Sequence, residues 1–211
     1  MHQEFTLMAT EVRFRITDPG IFWSLQTIDQ LGDFKFSKTQ ILEIHDAYLD
    51  TKKRRLLTAG YSCRRRDQAK GFLITLTKLG AGKDNDKKQK YWEVDLIKNT
   101  NSPANWPKSP VKKQLSKTIP NKKLQVIFSF IQTRITRQVS NGNRIFAQAI
   151  LDDVRVINKG KEQHFKIIKL VTDDPDQSET LNSLAQALKK EWSLKKDPLS
   201  KFERALAMEK K

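Results

Sequence analysis

The sequence predicts a β-rich α+β fold: a single domain over residues 1–211, with antiparallel strands and helices at a few connections. Three observations carry the expectation. Short runs alternate apolar and polar residues at the strand period, as in Glu11-Val12-Arg13-Phe14-Arg15-Ile16. Turn signals separate such runs, above all Asn141-Gly142 and Lys159-Gly160. Several strands also put charge along one whole face, which a dry core cannot hold and the wet interior of a barrel can.

Taken in order, residues 1–9 carry no clear pattern. In the 11–16 strand Val12, Phe14 and Ile16 point one way and Glu11, Arg13 and Arg15 the other. A carboxylate followed by two guanidiniums suits the wall of a site for an anion and its counter-ion; taken alone, it also suits a solvated face. Asp18-Pro19 starts a helix, as N-cap and first-turn proline, and Ile21, Phe22, Leu25, Ile28 and Leu31 keep helical spacing up to Gly32. Residues 34–44 read as strand with a turn near Ser37, continued through 45–51. Asp50-Thr51 can cap the short basic turn at 52–57, which Gly60 ends.

The 61–66 strand places Arg64 and Arg66 on one face and Cys63 and Arg65 on the other. A strand at 71–78 follows, then a loop rich in Gly, Lys, Asp and Asn. At 90–96, Tyr91, Glu93 and Asp95 share a face. The stretch 97–123 is a long connection, with a short helix expected at 111–118. A β-prone run at 124–139 reaches Asn141-Gly142 and returns at 144–156; another strand spans 164–171. Leu181, Leu184, Ala185 and Leu188 form the stripe of a helix at 180–192, and a short helix closes the pattern at 200–208.

Composition narrows the partners. A formal net charge of +16 points to anions: nucleic acid, anionic membrane, polyphosphate or a phosphate ester. No run approaches the ~18 apolar residues of a membrane span, and no signal peptide is visible. The single cysteine, Cys63, rules out an internal disulfide and a multi-cysteine zinc site, so a reducing, cytoplasmic setting is expected. The lysine-rich stretches at 83–90 and 108–123 read as solvated loops. Nucleic-acid binding is disfavoured, because no aromatic stacking strand or groove-reading helix accompanies the charge. His2, His45 and His164 join no nucleophile–base pair.

The run Asp46-Ala47-Tyr48-Leu49-Asp50-Thr51 is followed by Leu56-Leu57, Ala59-Gly60-Tyr61 and Arg64-Arg65-Arg66. Later come Glu93-Val94-Asp95, Leu151-Asp152-Asp153-Val154, and Ser200-Lys201-Phe202-Glu203-Arg204-Ala205-Leu206. Over nearly the whole chain this order resembles the CYTH superfamily, the triphosphate tunnel metalloenzymes, which includes class IV adenylate cyclases, thiamine triphosphatases and inorganic triphosphatases. The resemblance implies a closed antiparallel eight-stranded β tunnel (the CYTH barrel) with peripheral helices. It also implies basic side chains gripping a triphosphate and glutamates holding Mg2+ or Mn2+. Arginine forks match phosphate oxygens, and magnesium prefers carboxylates plus retained waters.

The carry-over is uneven. Glu11 matches the first acid of the family's E-x-E-x-K strand, whose second acid is Arg13 here and whose lysine is Arg15. Arg64 and Arg66 match the paired phosphate-binding arginines. By parity Thr77 falls where the next lysine belongs, and Lys78 takes that place only with a one-residue bulge. Lys90 stands near the following basic position, and Glu93 and Asp95 match its paired acids. Arg134 or Arg137 supplies the next arginine. Asp152 matches the aspartate of E-L-x-L-D, whose glutamate is Gln148. The next E-x-E is occupied by Lys166, Ile167 and Ile168, and Lys201 matches the late serine-lysine.

Phosphate-binding positions are thus kept or made more basic, while acids are lost at 13, 148 and 166–168. The resemblance therefore implies a protein that binds a triphosphate-bearing small molecule or polyphosphate and hydrolyses it with a divalent metal through Glu11, Glu93, Asp95 and Asp152. The alternative is a binder of phosphate chains or a phosphorylated ligand that has lost its metal site. Class IV cyclase-like activity ranks lower, because no adenosine pocket is recognisable. An arginine at position 13 can stand in for a metal's charge but cannot activate water as a metal does.

Overall fold

Described residues of the structure, a computed structural model, are 5–7, 10–80 and 89–208. Most of the solvated loop expected at 83–90 lies outside them, as does most of the patternless N-terminal stretch. In chain order the strands are β1 (Phe5–Leu7), β2 (Thr10–Ile16), β3 (Gln30–Leu31), β4 (Phe34–Phe36), β5 (Gln40–Asp50), β6 (Tyr61–Gln68), β7 (Gly71–Lys78), β8 (Gln89–Leu96), β9 (Gln125–Asn141), β10 (Arg144–Asn158), β11 (Lys161–Thr172) and β12 (Lys195–Lys196). The helices are α1 (Pro19–Thr27), α2 (Arg55–Thr58), α3 (Pro110–Thr118), α4 (Ser178–Trp192) and α5 (Lys201–Met208). The fold is strand-rich and antiparallel. The chain divides into two compact units built from interleaved segments: 1–7, 44–130 and 157–159 in one, 8–43, 131–156 and 160–211 in the other.

In the first unit the neighbour order is β1-β8-β7-β6-β5. The β6–β7 ladder runs without a break from Tyr61↔Lys78 to Gln68↔Gly71. Gly71 is required there: its φ is +116°, and a Cβ would meet the Leu96 carbonyl oxygen at 2.2 Å. The Cys63, Ile74 and Leu76 side of the sheet packs with Val111 and Leu115 of α3 in one apolar cluster. Helix α3 starts at Pro110, where the Ser109 hydroxyl accepts the Lys112 N–H at 3.1 Å. Asp50 fixes the turn into α2, accepting N–H bonds from Thr51 (2.6 Å), Leu56 (2.9 Å) and Leu57 (3.1 Å).

In the second unit β9, β10, β11, β2 and β12 follow one another, with β4 also paired to β9. Phe14 and Ile16 of β2 sit in one apolar cluster with Leu181, Leu184 and Leu188 of α4 and with Phe22 and Leu25 of α1. Helix α1 begins as expected, with Asp18 accepting the Gly20 N–H at 2.7 Å. It is shorter than its apolar spacing suggests. Ile28 caps it in an extended conformation, and the chain enters the β3–β4 hairpin, whose turn uses Gly32 at φ +58°. Ile28 and Leu31 still pack on the core, but from extended backbone. Among the described residues no helix is long and apolar enough to cross a membrane.

Candidate functional site

In the first unit the ladders decide which side chains share a face, because residues directly opposite in an antiparallel pair point the same way. Asp46 lies opposite Arg66 and Tyr48 opposite Arg64; Arg64 faces Thr75, and Thr75 faces Glu93; Leu73 stands between Arg66 and Asp95. Arg64, Arg66, Glu93 and Asp95 are therefore brought to one side, with Cys63, Ile74, Leu76 and Val94 on the other.

The two arginines differ in commitment. Arg66 grips Asp46 with a fork, Nε to Oδ1 and Nη2 to Oδ2, both at 2.8 Å. Asp46, expected to serve a turn, instead orients this guanidinium. Arg64 donates Nη2 to the Thr75 hydroxyl at 3.0 Å, and Thr75 donates to Glu93 Oε1 at 2.9 Å. The Nε of Arg64 is buried without a hydrogen-bond partner, which costs about 1–3 kcal/mol. Tyr48 is stacked near Phe128 and Phe130, with centroids at 5.0 and 5.4 Å. Burial pushes its hydroxyl up to about 12, so it stays neutral. Asp95 is exposed.

Two lysines do not join this face. With no bulge in β7, Lys78 pairs with Tyr61 on the Leu76 side, so Thr77 has the tunnel-type parity. Lys90 shares the parity of Trp92, opposite that of Glu93 and Asp95, and is exposed.

In the second unit β2 keeps the expected alternation, with Phe14 and Ile16 buried and Arg15 exposed. Glu11 pairs with Arg13 on its Oε1 and with Lys169 Nζ on its Oε2, the latter at 3.4 Å. Arg13 also donates Nη1 to the Leu199 carbonyl at 3.0 Å. Asp152 is 1% exposed. Its Oδ1 accepts Arg134 Nε at 2.8 Å, and its Oδ2 accepts Arg134 Nη2 at 3.1 Å and Lys201 Nζ at 2.7 Å. Lys201 donates to Gln132 as well. Burial works to raise the Asp152 carboxyl, but the hydrogen bonds and charges of Arg134 and Lys201 outweigh it and hold it below the ordinary range.

Two expectations change here. Arg137 does not share the site with Arg134. It is 3% exposed and donates to the carbonyls of Ser37 (2.7 Å), Gln26 (3.1 Å), Phe36 (3.3 Å) and Leu25 (3.4 Å), pinning β9 to the α1–β4 region. Lys166 and Ile168, matched to the two acids of the next E-x-E, do not face the charged side of β2. Lys166 lies opposite Ile16, with its ammonium 4.8 Å from the Phe22 ring centroid and paired to Asp153. The residues of β11 opposite Glu11, Arg13 and Arg15 are Val171, Lys169 and Ile167. Lys169 is the functional candidate that sequence reasoning missed; only the β2–β11 register reveals it. Gln148 is exposed.

The acids expected to hold a metal were Glu11, Glu93, Asp95 and Asp152. Both oxygens of Glu11 and of Asp152 are taken by cations, so these two do not fit a divalent ion. Glu93 and Asp95 have no ion pair among the described residues, and no three Asp, Glu, His or Cys side chains gather there as a metal-holding group.

A strand-rich fold whose sheet faces carry arginine and lysine beside carboxylates is the class that this geometry defines. The chain belongs to the CYTH domain family, whose model matches residues 8–206. Two solved structures share the fold. One is a candidate adenylyl cyclase from Hippeastrum described as having a dominant triphosphatase activity (18% identity, 95% of this chain and 96% of that one, TM-score 0.63). The other is a candidate adenylate cyclase from Bacillus halodurans (19% identity, 94% and 97%, TM-score 0.59). No curated protein matches the sequence.

Proposed function

We propose that this protein binds a triphosphate-bearing small molecule or a linear polyphosphate through its arginine and lysine side chains. The observation that carries the reading is the excess of cations over acids around Glu11 and Asp152. Arg13 and Lys169 share one carboxylate, and Arg134 and Lys201 share the other. Arg15, two residues along β2 from Arg13, and Lys195, opposite it on β12, add charge to the same face. Each carboxylate holds its cations extended and oriented. A phosphate chain, with more oxygens than one carboxylate, draws on the same donors, and guanidinium forks suit its tetrahedral oxygens. In the other unit Arg64, with a single hydrogen bond among the described residues, has donors to spare. The triphosphatase activity described for the Hippeastrum relative supports the same ligand class.

Hydrolysis with Mg2+ or Mn2+ is a second reading, favoured by Glu93 and Asp95, whose carboxylates no cation holds among the described residues. Phosphate release from a panel of triphosphates, with and without each metal, tests it. Binding is tested by calorimetric titration with tripolyphosphate. Arg13→Ala and Arg64→Ala are each expected to weaken it about tenfold, or 1.4 kcal/mol. Unchanged affinity in both variants contradicts the reading.

A further inference from the structure

We propose that around Glu11 and Asp152 protein cations occupy the role that the family resemblance gives to Mg2+ or Mn2+, so that the phosphate chain binds there without metal. This rests on the triphosphate reading above and goes beyond it. A divalent ion needs carboxylate oxygens directed at it. At Glu11, Arg13 arrives from the same strand and Lys169 from the neighbouring one, one on each oxygen. At Asp152 the Arg134 fork spans both oxygens and Lys201 adds a third donor from α5. No acid on β11 completes a ligand set, because the strand offers Val171, Lys169 and Ile167 to the charged face of β2, and Ile167 is buried. A metal ion entering here would have to displace two cations from each carboxylate and then sit beside them. A phosphate chain meets the opposite situation. Its oxygens are met by ammonium and guanidinium groups already oriented by acids, which supply the neutralising charge that a metal would supply. Binding is thereby separated from metal binding, and Mg2+ in solution competes for the ligand instead of bridging it to the protein.

The test is titration of the full chain with tripolyphosphate in EDTA and again with excess MgCl2 or MnCl2. The affinity in EDTA is expected to equal or exceed that with metal. Lys169→Gln and Lys201→Gln are each expected to weaken binding in EDTA about tenfold, with Lys169→Arg restoring it. Thermal melts of the variants separate lost binding from lost folding. Binding that appears only with metal overturns this inference and leaves the triphosphate reading standing. Absence of binding both in EDTA and with metal overturns both. Unchanged affinity in EDTA for a folded Lys169→Gln and Lys201→Gln overturns the substitution of metal by these two lysines.

Discussion

Arg134 and Asp152 meet through two hydrogen bonds, Nε to Oδ1 at 2.8 Å and Nη2 to Oδ2 at 3.1 Å, with the carboxylate buried and Lys201 on its second oxygen. Replacing Asp152 with Asn leaves two cations without their anion. The variant is expected to lose stability near the low end of the ~3–5 kcal/mol typical of a broken buried pair, since both cations keep some contact with water. The folded-state carboxyl titrates below its ordinary value. Its contribution is therefore full above the ordinary carboxylate range and is lost as pH falls through the folded value. Urea midpoints measured from neutral to acidic pH check this. The gap between wild type and Asp152→Asn should be wide at neutral pH and close in acid.

Arg64 and Arg66 look equivalent in the sequence and are not. Arg66 holds the buried Asp46 bidentately, whereas Arg64 makes one hydrogen bond and carries an unpartnered buried Nε. Arg66→Ala is expected to destabilise the fold by about 2–3 kcal/mol, because it removes the guanidinium from a buried carboxylate. Arg64→Ala should cost about 1 kcal/mol or less, with its effect on tripolyphosphate affinity instead. Chemical denaturation of the two variants side by side shows the difference.

Arg137 is a structural cation. Arg137→Met removes donors from four backbone carbonyls and is expected to cost about 2–4 kcal/mol, while leaving tripolyphosphate affinity unchanged at temperatures where the variant is folded. Arg137→Lys should recover little, because one ammonium cannot reproduce the spread of the guanidinium fork.

Cys63 is 1% exposed on the apolar side of β6, and its thiol is pushed up to about 12, by burial first and by the Asp50 charge second. It is expected to resist a thiol reagent at mildly alkaline pH in the native protein and to react fully in denaturant. Rapid native labelling would contradict the packing described here.

Much of this was legible from strand parity. Alternation separated Arg64 and Arg66 from Cys63 and grouped Glu93 with Asp95; between Thr77 and Lys78 it left the choice to whether β7 bulges, and the unbroken β6–β7 ladder answers that. What failed depended on partners distant in sequence. In Lys166-Ile167-Ile168-Lys169 the apolar pair interrupts the alternation, so the run does not say which lysine meets Glu11; the register with β2 does. Arg134 and Arg137 stand three residues apart on one strand and so take opposite faces, and only their packing shows which one reaches a carboxylate. Ile28 and Leu31 kept helical spacing because the same core needs them, whatever backbone delivers them.

The cations around Glu11 and Asp152 are proposed to grip a chain of phosphates and not a single phosphate. Calorimetric titration of the wild-type protein with orthophosphate, pyrophosphate and tripolyphosphate at one ionic strength separates the two cases. Affinity is predicted to rise with each added phosphate, with tripolyphosphate at least about a hundredfold tighter than orthophosphate. Equal affinities across the three anions would mean that these cations do not grip a phosphate chain.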